Sequence, residues 1–334
     1  MSASNPQSAP VSESALVADL REFVSEWVRL HGGFTTAANP GHRVPFHWPP
    51  HPVSHAYHVL ASDWSGKGRV EIHGEVFPVR IARTQYGVFG RIDGLWLEAK
   101  GSGDDSMYES LRKEAEPLFQ RQLSIAESLG MKGRFTGSIR DLPDIDLLKL
   151  LYCRDRDVAN EARLAIELHA SAGIFGPALV EILRDDRHPL RRSAQWCVLD
   201  LFEDIHSFCP TPAEEEQAIL AMRDLIWNAA DDYARTIYKA GVVLGGHIPD
   251  RHGGPVLLEC LKAPSRVGRR SAIHGLFHVV EWHPESRVTV VKSLEEVAAH
   301  DPDATLREYA ALMARDIAAG QMDHVGEPVF EDEE

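Results

Sequence analysis

From Leu16 the apolar positions fall at Leu16, Leu20, Phe23, Val24 and Trp27, the spacing of one helix face. Ser12 or Ser14 is placed to cap that helix, and His31-Gly32-Gly33 to end it. Over residues 68–101 the period changes to two. Val70 and Ile72 alternate, as do Phe77, Val79 and Ile81, and then Leu95 and Leu97. This predicts an antiparallel meander of about four strands, with a turn at Gly74 and a hairpin turn at Asp93-Gly94 between Ile92 and Leu95. Pro78 is expected at an edge or a bulge. The helical period returns from about Asp105 to Leu129 in Met107, Leu111, Ala115, Leu118, Phe119, Ala126 and Leu129. Asp104 and Asp105 open that helix, where acids complement the unpaired N–H groups better than they form a catalytic pair. Helix, sheet and helix together define an α+β domain over 13–140, after a disordered lead of Ser, Pro and Ala over 1–12.

The second half repeats itself. Counting from Leu190, Ala194, Cys197, Val198, Leu201 and Phe202 lie at +4, +7, +8, +11 and +12. The same offsets from Val158 give Ala162, Ala165, Ile166 and His169. From Thr236 they give Ala240, Val243, Leu244, His247 and Ile248, and from Gly268 Ala272, Gly275, Leu276, Val279 and Val280. From Leu306 they give Ala310, Met313, Ala314, Ile317 and Ala318. Any amphipathic helix produces such offsets, but alanine at +4 in all five points to close approach of a neighbouring helix. Another stripe precedes each segment: Ile145, Leu148, Leu151; Phe175, Leu179, Ile182, Leu183; Ile219, Met222, Leu225, Ile226; Val256, Leu257, Leu261; Val288, Val291, Leu294, Val297. Short polar turns separate the partners at Asp185-Asp186, Asp231-Asp232, Pro264-Ser265 and Asp301-Pro302-Asp303, and Pro189 suits a helix start. The expectation is about five helix pairs over 141–320, stacked as an α-solenoid.

Two of the segments carry a run of acid, Val or Leu, Arg, Ala and Leu. These are DDRHPLRRSAQWCVLDL, with Leu190, Arg191 and Ala194, and DPDATLREYAALMA, with Leu306, Arg307 and Ala310. In this the chain resembles the HEAT-like repeats of the phycobilisome-lyase type, an armadillo-like family. The third copy departs from the run with Ile237 in place of the Arg, and the first with Ala159. The likeness covers about 145–319 and implies a right-handed all-α solenoid, with arginines that stack on or pair with acids of the next repeat. It implies nothing definite about activity. The order of elements in the N-terminal domain is similar to the small α/β sandwich of bacterial secretion chaperones, without a shared motif.

Charge narrows the partners. Residues 1–140 hold 15 bases and 15 acids, whereas 141–334 hold 20 and 35, so the net −15 lies entirely in the second part. An acidic tail over 321–334 ends in six acids among its last twelve residues. Such a surface disfavours nucleic acid and anionic membranes, and favours a protein partner, possibly a basic one. No apolar run approaches the length of a membrane span, and the first residues lack the basic and apolar regions of a secretory signal. Cys153, Cys197, Cys209 and Cys260 form no CxxC pair, which fits free thiols in a reducing cytoplasm.

Candidate chemistry is sparse. The Pro/His-rich loop, placed over 33–54 with its histidines running on to residue 58, holds His42, His47, His51, His55 and His58. Packing by Phe46, Trp48 and the prolines is the simpler role of this loop, with a transition-metal site as the alternative. There is no His-Glu dipeptide of the di-iron hydroxylases that share the HEAT-like repeat, and no basic face for a DNA glycosylase. There is also no phosphate loop, since SGKG at 65–68 lacks the upstream Gly, and no GxSxG elbow. His169, His247, His274 and His278 lie on second helices, where they could form a ladder; His169 and His247 take core-facing offsets. The expected function is a non-enzymatic scaffold or adaptor without cofactors. Its partner would lie on the concave solenoid face, at Arg191, Arg192, Gln195, Trp196, Arg269, Arg270 and His274. The alternative is an enzyme or small-ligand-binding protein with its site between the sheet domain and the solenoid.

Overall fold

The computed structural model describes residues 13–31, 64–92, 97–229, 234–248 and 253–321. The lead, the His-rich loop with His42, His47, His51, His55 and His58, the Asp93-Gly94 and Asp231-Asp232 turns and most of the acidic tail lie outside them. The chain divides into two compact units: one holds the first helix and everything from Ile139 onward, the other the sheet and the long helix after it.

The sheet unit is a four-stranded antiparallel meander in sequence order: β1 (Gly66–Ile72), β2 (Glu75–Thr84), β3 (Gly87–Ile92) and β4 (Leu97–Gly101). His73 and Gly74 both take positive φ, 50° and 78°, so the β1–β2 link is the tight two-residue turn whose twist matches the strands. Ile92 with Leu97 is the last described pair of the β3–β4 ladder, and the expected Asp93-Gly94 turn lies outside the described residues. β3 reaches β2 only from Arg80 onward, so Pro78 pairs with β1 alone, at an edge where its missing N–H breaks no ladder. The helix α2 (Asp104–Ser128) lays Met107, Leu111, Ala115 and Phe119 over Val70, Val79, Ile81, Ile92 and Ala99. It lies so close that a Cβ on Gly90 would stand 2.1 Å from Met107 Sδ. Asp104, in the first turn of α2, accepts from the Arg83 guanidinium.

The other unit is helical. Its first helix, α1 (Glu13–His31), was expected to complete the α+β domain but packs on α3 (Asp144–Leu150) and α5 (Gly176–Arg184) instead. The reason is its buried stripe of Leu16, Leu20 and Val24, together with a ring cluster around the fully buried His188. Trp27 and Tyr152 each lie 4.4 Å from that imidazole, centroid to centroid, and Phe23 lies 5.9 Å away.

Five helix pairs follow. They are α3 with α4 (Arg156–Glu167), α5 with α6 (Arg191–Leu201), α8 (Pro212–Trp227) with α9 (Ala234–Gly246), α10 (Gly254–Cys260) with α11 (Arg266–Trp282), and α12 (Arg287–His300) with α13 (Ala304–Ala319). The short α7 (Ile205–Phe208) lies between the second and third pairs. The second helices contact one another in sequence order, α4–α6–α9–α11–α13, and α5, α8 and α10 do the same on the first-helix side. The alanines at +4, Ala162, Ala194, Ala240, Ala272 and Ala310, are all fully buried. Polar residues in the turns start the second helices: Asp155, Ser265 and Asp303 each accept a backbone N–H of the first turn. The expected stripe of α12 is only partly inside. Leu294 is buried, but Val288 is 80% exposed and Val290 takes its place, since α12 packs on α13 and α11 alone among the longer helices.

Candidate interaction surface on the second helices

Most of the residues expected to face a partner are turned inward. Arg191, Arg192, Gln195, Arg269 and Arg270 are buried, and each is engaged within the helical unit. Gln195 Nε2 donates to the carbonyls of Leu183 and Asp185, both at 3.0 Å, and its Oε1 accepts from Arg192 Nη1. It thus satisfies the open carbonyl end of α5. Arg191 Nη1 reaches the His188 carbonyl, and Arg270 lies over the Tyr238 ring. Arg269 donates to the Ala263 and Pro264 carbonyls and also to both oxygens of Asp301. Arg307, at the same offset as Arg191 and Arg269, donates to the Asp301 carbonyl at 2.7 Å. Arg191, Arg269, Arg307 and Gln195 share a physical cause: each leaves the first turns of a second helix beside the preceding turn, where helix-end carbonyls await a donor. The pairing of an arginine with an acid of the next repeat is realised in Arg269 and Asp301.

The surface stripe runs through other offsets. Trp196 and His274 at +6, Lys239 at +3, and Asp200 and His278 at +10 are all partly exposed. These positions are three, four or seven residues apart and so share one helix face. The residues join across helices. Arg163 of α4 bonds Glu167 at 2.6 Å and approaches Asp200 of α6. Lys239 of α9 sits between Asp200 and Glu203, with its ammonium 4.6 Å from the centre of the Trp196 ring. Burial pulls that ammonium down to about 8. Tyr238 stacks at 4.4 Å on His274 of α11. His274 bonds Tyr309 of α13 at 2.9 Å and His278 at 3.2 Å, and His278 bonds Glu281 at 2.6 Å. Of the four histidines proposed as a ladder, only His274 and His278 meet. His169 lies beyond the end of α4, partly exposed beside Asp144, and His247 is exposed with Nδ1 at the Glu203 carbonyl. Neither is a core residue, because both fall past the last helical turn.

The sequence reading missed Lys239, Asp200, Arg163, Tyr238 and Tyr309. For Lys239 and Asp200 the repeat frame itself held the signal, since its +3 and +10 positions extend the +6 stripe; Arg163 at +5 and Tyr238 at +2 stand outside that stripe, and Tyr309 is fully buried.

Little in the helical unit has the form of a reaction centre. A cleft of about 300 Å³ opens between α1 and α5, lined by Leu20, Val24, Tyr152, Glu181, Asp185 and three arginines. Its arginines are engaged: Arg21 pairs with Glu181, Arg184 bonds Gln217, and Arg187 reaches Ser25, while Asp185 Oδ2 is buried without a hydrogen-bond partner among the described residues. All four cysteines are free and buried, and burial lifts the thiols of Cys197 to about 11 and of Cys209 and Cys260 to about 12. Such thiols are poor nucleophiles. Among the described residues no group of three or more His, Cys, Asp or Glu is arranged to hold a metal, and no helix is long and apolar enough to cross a membrane. No family model, curated protein or solved structure matches the chain.

Proposed function

We propose that the helical unit is a right-handed, armadillo-like HEAT-type solenoid, and that the chain is a non-enzymatic scaffold or adaptor for a protein partner. The observation that carries this reading is the continuous run of partly exposed aromatic and charged side chains across consecutive second helices, from Arg163 through Trp196, Asp200, Lys239 and Tyr238 to His274, which the fully buried Tyr309 holds from beneath. Repeats stacked in one dimension offer an extended surface, and Trp and Tyr are the residue types that anchor protein interfaces. The binding residues are accordingly Trp196, Lys239, Tyr238, His274 and His278, and no longer the buried arginines. Glu203 and Glu281 border this face, and with the net charge of −15 they favour a basic partner. The unpaired thiols favour a reducing, cytoplasmic setting.

Capture from the native lysate with the full chain, beside a Glu203→Lys, Glu281→Lys variant, tests the proposal. Both side chains are substantially exposed, at 45% and 35%, and an unchanged melting curve checks that the variant keeps the wild-type fold. A stoichiometric protein retained by the wild type and lost from the variant supports the reading. Equal recovery by both removes this face from the function, and the absence of any protein in repeated low-salt captures removes the scaffold.

A further inference from the structure

His274 and His278 stand one turn apart on α11, with their Nε2 atoms 3.2 Å from each other. Two ring nitrogens at that distance repel unless a proton or a cation lies between them. The outer nitrogens are both held. His278 Nδ1 lies 2.6 Å from Glu281 Oε2, a carboxylate that accepts only, so Nδ1 carries the hydrogen and Nε2 presents a lone pair. His274 Nδ1 lies 2.9 Å from the Tyr309 hydroxyl, which accepts or donates equally well. When the hydroxyl donates, His274 Nε2–H donates in turn to His278, and the chain closes without an ion. When the hydroxyl accepts, both Nε2 atoms carry lone pairs, 3.2 Å apart.

We propose that this pair is a chelating site for a divalent late first-row transition ion, of the class of zinc, nickel and copper, with His274 Nε2 and His278 Nε2 as its protein ligands. Three observations support it. The spacing is right: two zinc–nitrogen bonds of about 2.05 Å at a tetrahedral angle place the nitrogens about 3.3 Å apart. The outer nitrogens already have the carboxylate and hydroxyl partners that orient metal-binding imidazoles and fix their tautomers. The site is accessible, since the His278 side chain is 25% exposed. Imidazole pairs suit these ions, whereas calcium and magnesium take oxygen ligands. With two ligands from this chain, further positions fall to water or to a side chain of a bound partner. On binding, the His274 hydrogen moves from Nε2 to Nδ1, where the Tyr309 hydroxyl oxygen accepts it, so no proton is lost. The site does not depend on the scaffold reading.

Calorimetric titration of the untagged full chain with zinc chloride tests this, beside His278→Gln and the double variant His274→Gln, His278→Gln. The other histidines are common to all three proteins, so the readout is the difference. The wild type is expected to take up one more saturable equivalent than either variant. Glu281→Gln is expected to weaken that equivalent about 10-fold or more. His278→Gln, at a partly exposed position, is checked by its unchanged melting curve without metal. As a second reading, the electron paramagnetic resonance spectrum of the Cu²⁺-loaded wild type is expected to contain a two-nitrogen component that is missing from His278→Gln loaded to the same ratio. Equal stoichiometry in all three proteins, or no saturable zinc binding by the wild type, overturns the site.

Discussion

Arg269 and Asp301 meet through two hydrogen bonds, Nε to Oδ2 at 2.7 Å and Nη2 to Oδ1 at 3.1 Å, and so tie the start of α11 to the turn before α13. Both side chains are nearly closed to water, at 10% and 3% exposure. The same guanidinium caps the Ala263 and Pro264 carbonyls, and Asp301 Oδ1 also accepts the Asp303 N–H. One pair thus fixes the turn of its own repeat and the register of the next.

Removing one member of this pair leaves the other charge buried. Arg269→Ala and Asp301→Ala are each expected to cost about 3–5 kcal/mol in urea unfolding. The double variant Arg269→Ala, Asp301→Ala is expected to cost less than the sum of the two, because it leaves no isolated charge. Additive losses in the cycle would show that the pair is not coupled.

The seam between α9 and α11 is closed by backbone rather than by side chains. A Cβ on Gly245 would stand 2.0 Å from the Gly275 carbonyl oxygen, and one on Gly275 would stand 2.5 Å from that of Gly241. Gly246, the next residue, has only His278 carbons at 3.9 Å. Gly245→Ala is therefore expected to force the helices apart at a cost of about 1–3 kcal/mol. Gly246→Ala is expected to be neutral or slightly stabilising through helix propensity. Thermal melts of the two variants check this, and equal shifts would contradict the close approach.

Burial raises the thiols of Cys197, Cys209 and Cys260 from an ordinary value of 9 to about 11, 12 and 12. The folded chain therefore holds these protons after the unfolded chain has lost them. Their contribution to stability is complete below pH 9 and is lost as the pH rises from 9 through 11 to 12. The urea midpoint is expected to fall over that range, and to fall less steeply in a Cys197→Ala, Cys209→Ala, Cys260→Ala variant. Tyrosines and lysines titrate there too, so the comparison between the two proteins is the test. Parallel slopes would contradict the buried thiols.

Patterns of period two and 3.6 located the strands and helices because burial on one face leaves a direct trace in the order of residues. The five alanines at +4 identified the second helices for the same reason. The placement of α1 was not legible, since Leu16, Leu20 and Val24 record that a face is covered and not which element covers it. The arginines misled because a cation at a helix start looks identical whether it reaches water or a hidden carbonyl. Arg269 has five donors and meets two carbonyls beside its own turn and both oxygens of one carboxylate in the next repeat, a balance visible only in three dimensions. The His274–His278 pair was visible as two histidines four apart, but the roles of Tyr309 and Glu281 depend on how α13 lies against α11.

The central claim is that a protein partner rests on the second-helix face. Site-specific photo-crosslinking in the native cell tests it most directly, with the photoreactive residue placed at Glu203 at the end of α6 or at the exposed Glu216 on α8. The account predicts a discrete heavier adduct from position 203 and none from position 216. An adduct from 216 alone, equal adducts from both, or none from either would contradict it.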